Sequence, residues 1–142
     1  MAKVVRQSVV LPAPARELYS MYLNAKAHAA ITGHKVQIGA RPGARFSAFN
    51  GALKGRILQT IPGRLIVQAW RSSPFHKNDP DSTLVLRFTA QGGKGRIDLV
   101  HVNVPGHDYH GVNKGWKQYY WKPWRKYLRR ARAAKIQLRA AA

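Results

Sequence analysis

The sequence predicts an α+β fold, with an antiparallel sheet of about six or seven strands, two short helices after the first strand, and one long C-terminal helix. Three observations carry this expectation. Valine-rich and alternating apolar runs recur through the middle of the chain. Specific turn dipeptides separate them. The last part of the chain, GVNKGWKQYYWKPWRKYLRRARAAK from residue 111 to 135, changes to helical spacing. Strands followed by a helix that must cover one sheet face make an α+β architecture.

Residues 4–10, VVRQSVV, read as the first strand. LPAPAREL follows. Pro14 suits a helix start, and Glu17 stands where a first-turn acid complements the helix dipole. Leu18, Tyr19, Tyr22 and Leu23 recur at helical spacing, Ala25 to Ile31 continue as a second short helix, and Gly33 is a stop. Five strand-like runs come next: GARFSAF, ALKGRILQTI, RLIVQAWRS, STLVLRFTA and GRIDLVHVNV. Asn50-Gly51 is a hairpin signal because both central positions of that turn need positive φ. Pro62-Gly63 suits a tight turn, with proline fixing one φ and glycine supplying the positive one. Gln91 to Gly95 form a further turn, and residues 35–38 offer one more short strand. The longer loop SSPFHKNDPD carries two of the five acids.

On a wheel of 3.6 residues per turn, Trp116, Tyr120, Pro123, Tyr127 and Ala131 form one stripe, flanked by Tyr119 and Trp124. Lys122, Arg125, Arg129 and Arg132 fall opposite, with Trp121 and Leu128 at the boundary. Binding of single-stranded nucleic acid would place aromatics and cations on one exposed face, so that bases stack while phosphates pair. Here they segregate, which favours aromatics in the core and cations in water. Pro123 removes a helix hydrogen bond and is expected to kink the helix.

The chain has 142 residues, enough for one domain, 1–142, with a frayed basic tail from about 136 to 142. Its 25 Lys+Arg against 5 Asp+Glu give a net charge of +20. Ten of the basic residues follow Asp108, after which there is no acid. Such a field attracts anions, whether nucleic acid, anionic membrane or acidic protein, without choosing among them; a generally basic protein background gives the same number. With no cysteine, disulfides, thiolate zinc sites and cysteine nucleophiles are excluded. No run has the length of a signal-peptide core or membrane span, so the expected location is cytoplasmic.

An ordered set of residues also resembles a known family. Pro14 to Tyr19, Gly43 to Phe46, Phe49-Asn50-Gly51 with Gly55, Ile61-Pro62, Ile66 to Arg71, Val104-Pro105, Gly115-Trp116 and Tyr119-Tyr120 together resemble a START-like (SRPBCC) helix-grip domain. The group is that related to the C-terminal domain of the heat-shock-protein-90 ATPase activator. The resemblance implies a sheet wrapped around the long C-terminal helix, two short helices plugging one end, and a cavity between sheet and helix. Family members often use that cavity for hydrophobic ligands, whereas the activator's domain instead contacts the chaperone. The extreme basic charge departs from the family pattern.

The residues expected at a ligand cavity are Trp70, Phe88, His101, Trp116 and Tyr120, with Leu84, Leu86 and Phe88 facing inward on their strand. The expected partner-binding set is Lys122, Arg125, Arg129 and Arg132. His101, His107, Asp108 and His110 are the densest group of metal-ligand types, but their spacing fits no defined zinc motif, and no metal or other cofactor is expected. No serine lies in a Gly-x-Ser-x-Gly elbow, and Gly92-Gly93-Lys94-Gly95 lacks a phosphate-loop ending. The expected function is therefore a non-enzymatic binding module for a small hydrophobic ligand. A co-chaperone-like module docking on an acidic partner is the alternative, a non-specific nucleic-acid binder is a third, and an enzyme of the same fold stays open.

Overall fold

Alternation decides which face of each strand is buried. On β5 (Ser82–Gln91) the residues Ser82, Leu84, Leu86 and Phe88 are buried, while Val85 and Arg87 point away. On β6 (Lys94–Pro105) the inner residues are Ile97, Leu99 and His101. Register pairs these sets directly, with Leu84 opposite His101, Leu86 opposite Leu99 and Phe88 opposite Ile97. The computed structural model describes residues 1–141. Its remaining strands are β1 (Ala2–Leu11), β2 (Arg45–Ala48), β3 (Leu53–Ile61) and β4 (Leu65–Ser72). They form one antiparallel sheet in the order β1-β6-β5-β4-β3-β2. Among the described residues there are six strands, and residues 35–38 add only the single bridge Gln37–Ser47 rather than a seventh strand.

Helices α1 (Ala15–Leu23) and α2 (Ala25–Thr32) follow β1. Asn24 ends the first and caps the second, its side chain accepting from the Ala27 N–H. Gly33 closes α2 with φ of 80°, a left-handed conformation that favours glycine. The turns keep their chemistry. Gly63 has φ of 73° and the Arg64 N–H donates to the Ile61 carbonyl. Gly92-Gly93 form a two-residue hairpin between Gln91 and Lys94. The Asn50-Gly51 hairpin is longer than a two-residue turn, because Ala48 pairs with Leu53 and residues 49–52 make the loop. Phe49, Asn50 and Gly51 all have positive φ, which is uncommon for a phenylalanine.

After a short 3₁₀ turn, Gly106–Asp108, the chain becomes helical to Ala141: α3 (Tyr109–Gly115), a π-helical stretch (Trp116–Trp121) and α4 (Lys122–Ala141). The π stretch overturns the uniform wheel. Each i→i+5 turn admits one extra residue, so the inward face advances from Trp116 and Tyr120 to Trp121, Trp124 and Leu128. Tyr127, placed on the inner stripe by a strict α-helical period, is 36% exposed, whereas the boundary residues Trp121 and Leu128 are buried. Pro123 lies in the first turn of α4, directly after the π stretch. Its ring would meet the carbonyl four residues back in a regular α-helix, and the wider π turn relieves that conflict. The segment expected as a frayed tail is helical to Ala141, and residue 142 lies outside the described residues.

The helices cover the inner sheet face, and the core runs from Val5, Val9 and Leu11 on β1 through Leu84, Leu86, Ile97 and Leu99 to Trp124 and Leu128. Gly55 on β3 sits between β2 and β4, opposite Phe46 and Trp70. A Cβ there would stand 1.8 Å from the Ala69 carbonyl oxygen, so only glycine allows the strands to approach this closely.

Candidate functional site

Trp70 ends the inner row of β4, and Trp116 begins the π stretch of the helix above it. Their rings lie 6.3 Å apart, centroid to centroid. Toward the β2–β3 loop this aromatic wall opens into a cavity of about 450 Å³, lined by Trp70, Trp116 and Tyr120 together with Phe49, Ala52, Leu53, Val112 and Tyr119. Ser73, Pro74, Gly111 and Tyr119 at its edge are exposed, so the space reaches the surface. One polar pair marks the rim: the Ser72 hydroxyl donates to Asp108 Oδ2 at 2.7 Å. An apolar concavity of this size with few polar groups has the form of a small-molecule site.

The left-handed backbone of Phe49 places its ring against Tyr119 at 5.7 Å and Tyr120 at 6.1 Å, so the hairpin loop forms a wall of the cavity. An aromatic residue next to Asn-Gly was visible in the sequence, but its contact with a helix some seventy positions away was not.

Two buried histidines brace the floor. The Trp116 Nε1–H donates to His101 Nδ1 at 3.2 Å, so His101 carries its proton on Nε2 and donates to Ser82 Oγ at 2.7 Å. Ser82 passes its own proton to the Trp70 carbonyl at 2.6 Å. The relay thus links helix, β6, β5 and β4. Burial pulls the His101 pKa down to about 3, because no anion compensates the charged form. His28 on α2, which sequence reading passed over as one polar residue among alanines, is completely buried. It donates from Nδ1 to the Tyr22 carbonyl at 2.7 Å and accepts the Tyr120 hydroxyl on Nε2 at 2.8 Å. Burial lowers its pKa to about 4, opposed in part by the Tyr22 carbonyl, and burial raises that of Tyr120 well above its usual value. Tyr22 donates in turn to Gln68 Oε1 at 2.8 Å.

Of the residues expected at the ligand site, Trp70, Trp116 and Tyr120 line the cavity. His101 stands behind them, accepting the Trp116 N–H and packing edge-on to Trp70. Phe88 lies elsewhere on the sheet, edge-on to Tyr19 at 5.6 Å. The expected partner-binding cations are on α4. Lys122, Arg129 and Arg132 are exposed, whereas Arg125 is half-buried and donates to the Val10 carbonyl at 3.0 Å. Lys122 and Arg125 border a shallower groove between β1 and the helix, with Lys114 and Lys117 beside them and no acid in its lining. The group His101, His107, Asp108 and His110 does not converge, since His101 is bonded in the core and Asp108 faces Ser72. His107 instead meets Asp79.

The family description "Activator of Hsp90 ATPase homolog 1-like protein" matches residues 12–129, which include both short helices, the sheet beyond β1 and the helix through the cavity wall. The chain belongs to this family. An activator of 90 kDa heat shock protein ATPase homolog from Dictyostelium discoideum is 24% identical over 103 residues, covering 72% of this chain but only 27% of its own length. The chain therefore spans less than a third of that relative. Among solved structures, an HSP90 activator from Plasmodium falciparum superposes with a TM-score of 0.76 at 20% identity, covering 82% of this chain and 89% of its own. A protein from Mesorhizobium loti gives a TM-score of 0.77 at 18% identity, covering 90% and 98%. At these identities the superpositions show the helix-grip fold alone. Among the described residues of this family member, no helix is long and apolar enough to cross a membrane.

Proposed function

We propose that the protein is a non-enzymatic helix-grip binding module that holds a small hydrophobic ligand between its sheet and C-terminal helix. The observation that carries this reading is the cavity of about 450 Å³ walled by Trp70, Trp116, Tyr120 and Phe49. Its walls offer apolar surface and little else, which suits capture of an apolar molecule rather than chemistry on it. The two buried histidines that brace the aromatic wall, His28 and His101, have both ring nitrogens committed to internal partners, so neither is poised as a general base.

The test is mass spectrometry of the purified protein, native and then denatured, after nuclease treatment and a high-salt wash, paired with titration by the uncharged fluorophore N-phenyl-1-naphthylamine. A bound apolar molecule, or saturable one-to-one fluorophore binding that a ligand displaces, is the expected result. A bare protein mass combined with no saturable fluorophore binding overturns the reading.

A second reading rests on a separate observation, the row of cations around the β1–helix groove and along α4. Lys122, Arg125, Arg129 and Arg132 would form a docking face for an acidic protein, the heat-shock-protein-90 chaperone being the partner the family name suggests. Such a face would speed association and lose strength with salt. Non-specific binding of nucleic acid would show the same salt dependence and no preference for the chaperone.

A further inference from the structure

The histidine that left the expected cluster found another. His107, on the 3₁₀ turn before α3, sets Nε2 3.0 Å from Asp79 Oδ2. His76, from the loop between β4 and β5, places Nδ1 3.9 Å from the same oxygen and stacks its ring on His107 with centroids 3.8 Å apart. One donor atom from each of the three side chains lies within 4.8 Å of the others. We propose that His76, Asp79 and His107 form a binding site for a borderline divalent transition-metal ion, of which zinc is the type.

The donor set fits that class. Two imidazoles with one carboxylate suit zinc, nickel or copper, whereas magnesium and calcium prefer all-oxygen surroundings. Bonds of about 2.0–2.2 Å bring neighbouring donors to about 3.3–3.5 Å in a tetrahedral site. Asp79 and His107, at 3.0 Å, need to open by only a few tenths of an ångström to reach that spacing. The stacked imidazoles cannot both aim at one ion as they stand, so His76 must turn and move by about 1 Å. It is free to do so, since its side chain is 71% exposed. Three protein ligands leave a coordination position for water.

The loop bearing two of the ligands is held in place. The Arg71 guanidinium donates to the carbonyls of His76 and Asp79 and to Asp81 Oδ1, and the His76 N–H donates to Asp79 Oδ2 at 2.7 Å. The charge distribution agrees. On a chain of net charge +20, three of the five acids, Asp79, Asp81 and Asp108, belong to the two segments that meet here. A bound ion would tie the β4–β5 loop to the segment ahead of α3. Ser73, Pro74 and Asp108 from these segments edge the cavity, so the tie would stiffen its rim.

The experiment is calorimetric titration of the chelator-washed full chain with zinc chloride, then nickel chloride, with the imidazole resonances followed by NMR. One ion per chain is expected, shifting the His76 and His107 resonances. Affinity should fall at least about tenfold in His76→Gln and in His107→Gln, and stay unchanged in His34→Gln, an exposed histidine outside the cluster. His76 is exposed enough that its variant keeps the fold, which circular dichroism checks. No binding at millimolar metal, or binding that His34→Gln lowers as much as His76→Gln does, overturns the proposal.

Discussion

The Trp116 indole N–H donates to His101 Nδ1 at 3.2 Å, and that one bond fixes the histidine as the Nε2–H tautomer. Both ring nitrogens of His28 are committed in the same way. Each imidazole is neutral when folded, with its pKa depressed to about 3 for His101 and about 4 for His28. Unfolding returns both toward about 6.5. Below that value the unfolded chain binds protons that the folded chain does not, so stability is complete above about pH 6.5 and is lost as pH falls toward the folded values. With two such groups the slope near pH 5 approaches about 2.7 kcal/mol per pH unit. Urea unfolding from pH 7.5 to 4.5 measures it, and a midpoint indifferent to pH in that window would contradict the buried neutral network.

The π stretch makes a second prediction that a plain helical wheel reverses. Leu128 is buried and Tyr127 is 36% exposed. Leu128→Ala should cost about 2–5 kcal/mol. Tyr127→Ala should cost less than about 1 kcal/mol, since a partly exposed ring leaves no closed void. Equal costs, or the opposite order, in denaturant titrations would place the inner face where the uninterrupted wheel put it.

This register shift shows where sequence reading stopped. Valine-rich runs, Pro62-Gly63, Gly33 and the alternation of Leu84, Leu86 and Phe88 each act locally, through φ preference or a two-residue period, so they could be read one at a time. The π stretch answers a conflict between Pro123 and the packing of three tryptophans, and nothing short of the packed helix contains that conflict. The cavity was legible to the same degree. Trp70, Trp116 and Tyr120 are large aromatics on recognisable elements, whereas Phe49 and Val112 come to line one cavity only when the β2–β3 hairpin meets the C-terminal helical segment. Phe88 alternates correctly inward, but inward on a broad sheet is not the same place as the cavity. The cluster of His76, Asp79 and His107 joins two loops separated by the last hairpin, and no spacing rule reaches across it.

Gly55 gives the sheet its close approach, and its substitution should be severe. The Cβ of Gly55→Ala would lie 1.8 Å from the Ala69 carbonyl oxygen, a backbone atom that cannot swing aside. The β3–β4 ladder must then separate locally, and Trp70, directly opposite Gly55, moves with it. We expect a loss above about 3 kcal/mol, or failure to fold. Gly93→Ala, whose Cβ meets nothing within 4 Å, is the control and should stay near wild type in thermal melts.

The cationic face can be tested apart from the fold because its residues differ in burial. Arg125 holds the Val10 carbonyl and should be left intact. Lys122, Arg129 and Arg132 are exposed, so reversing them to glutamate should change stability by no more than about 0.5 kcal/mol each. If the face docks an acidic protein, the triple variant weakens binding of the chaperone and flattens its dependence on salt. Unchanged affinity at low ionic strength would remove this second reading.

Cavity and core separate most sharply at Ala52 and Phe88. Ala52 lines the cavity, and Phe88 packs on Tyr19 away from it. Ala52→Leu adds three carbons to open volume, so it should weaken binding of N-phenyl-1-naphthylamine while leaving the melting temperature nearly unchanged, because no close-packed neighbour has to move. Phe88→Leu removes part of a buried ring and should lower stability by about 1–3 kcal/mol with fluorophore affinity preserved. The two variants therefore move opposite readouts. If Phe88→Leu alone disturbed binding, the ligand would sit deeper between sheet and helix, beside Tyr19, and the open aromatic cavity would be a mouth rather than the site.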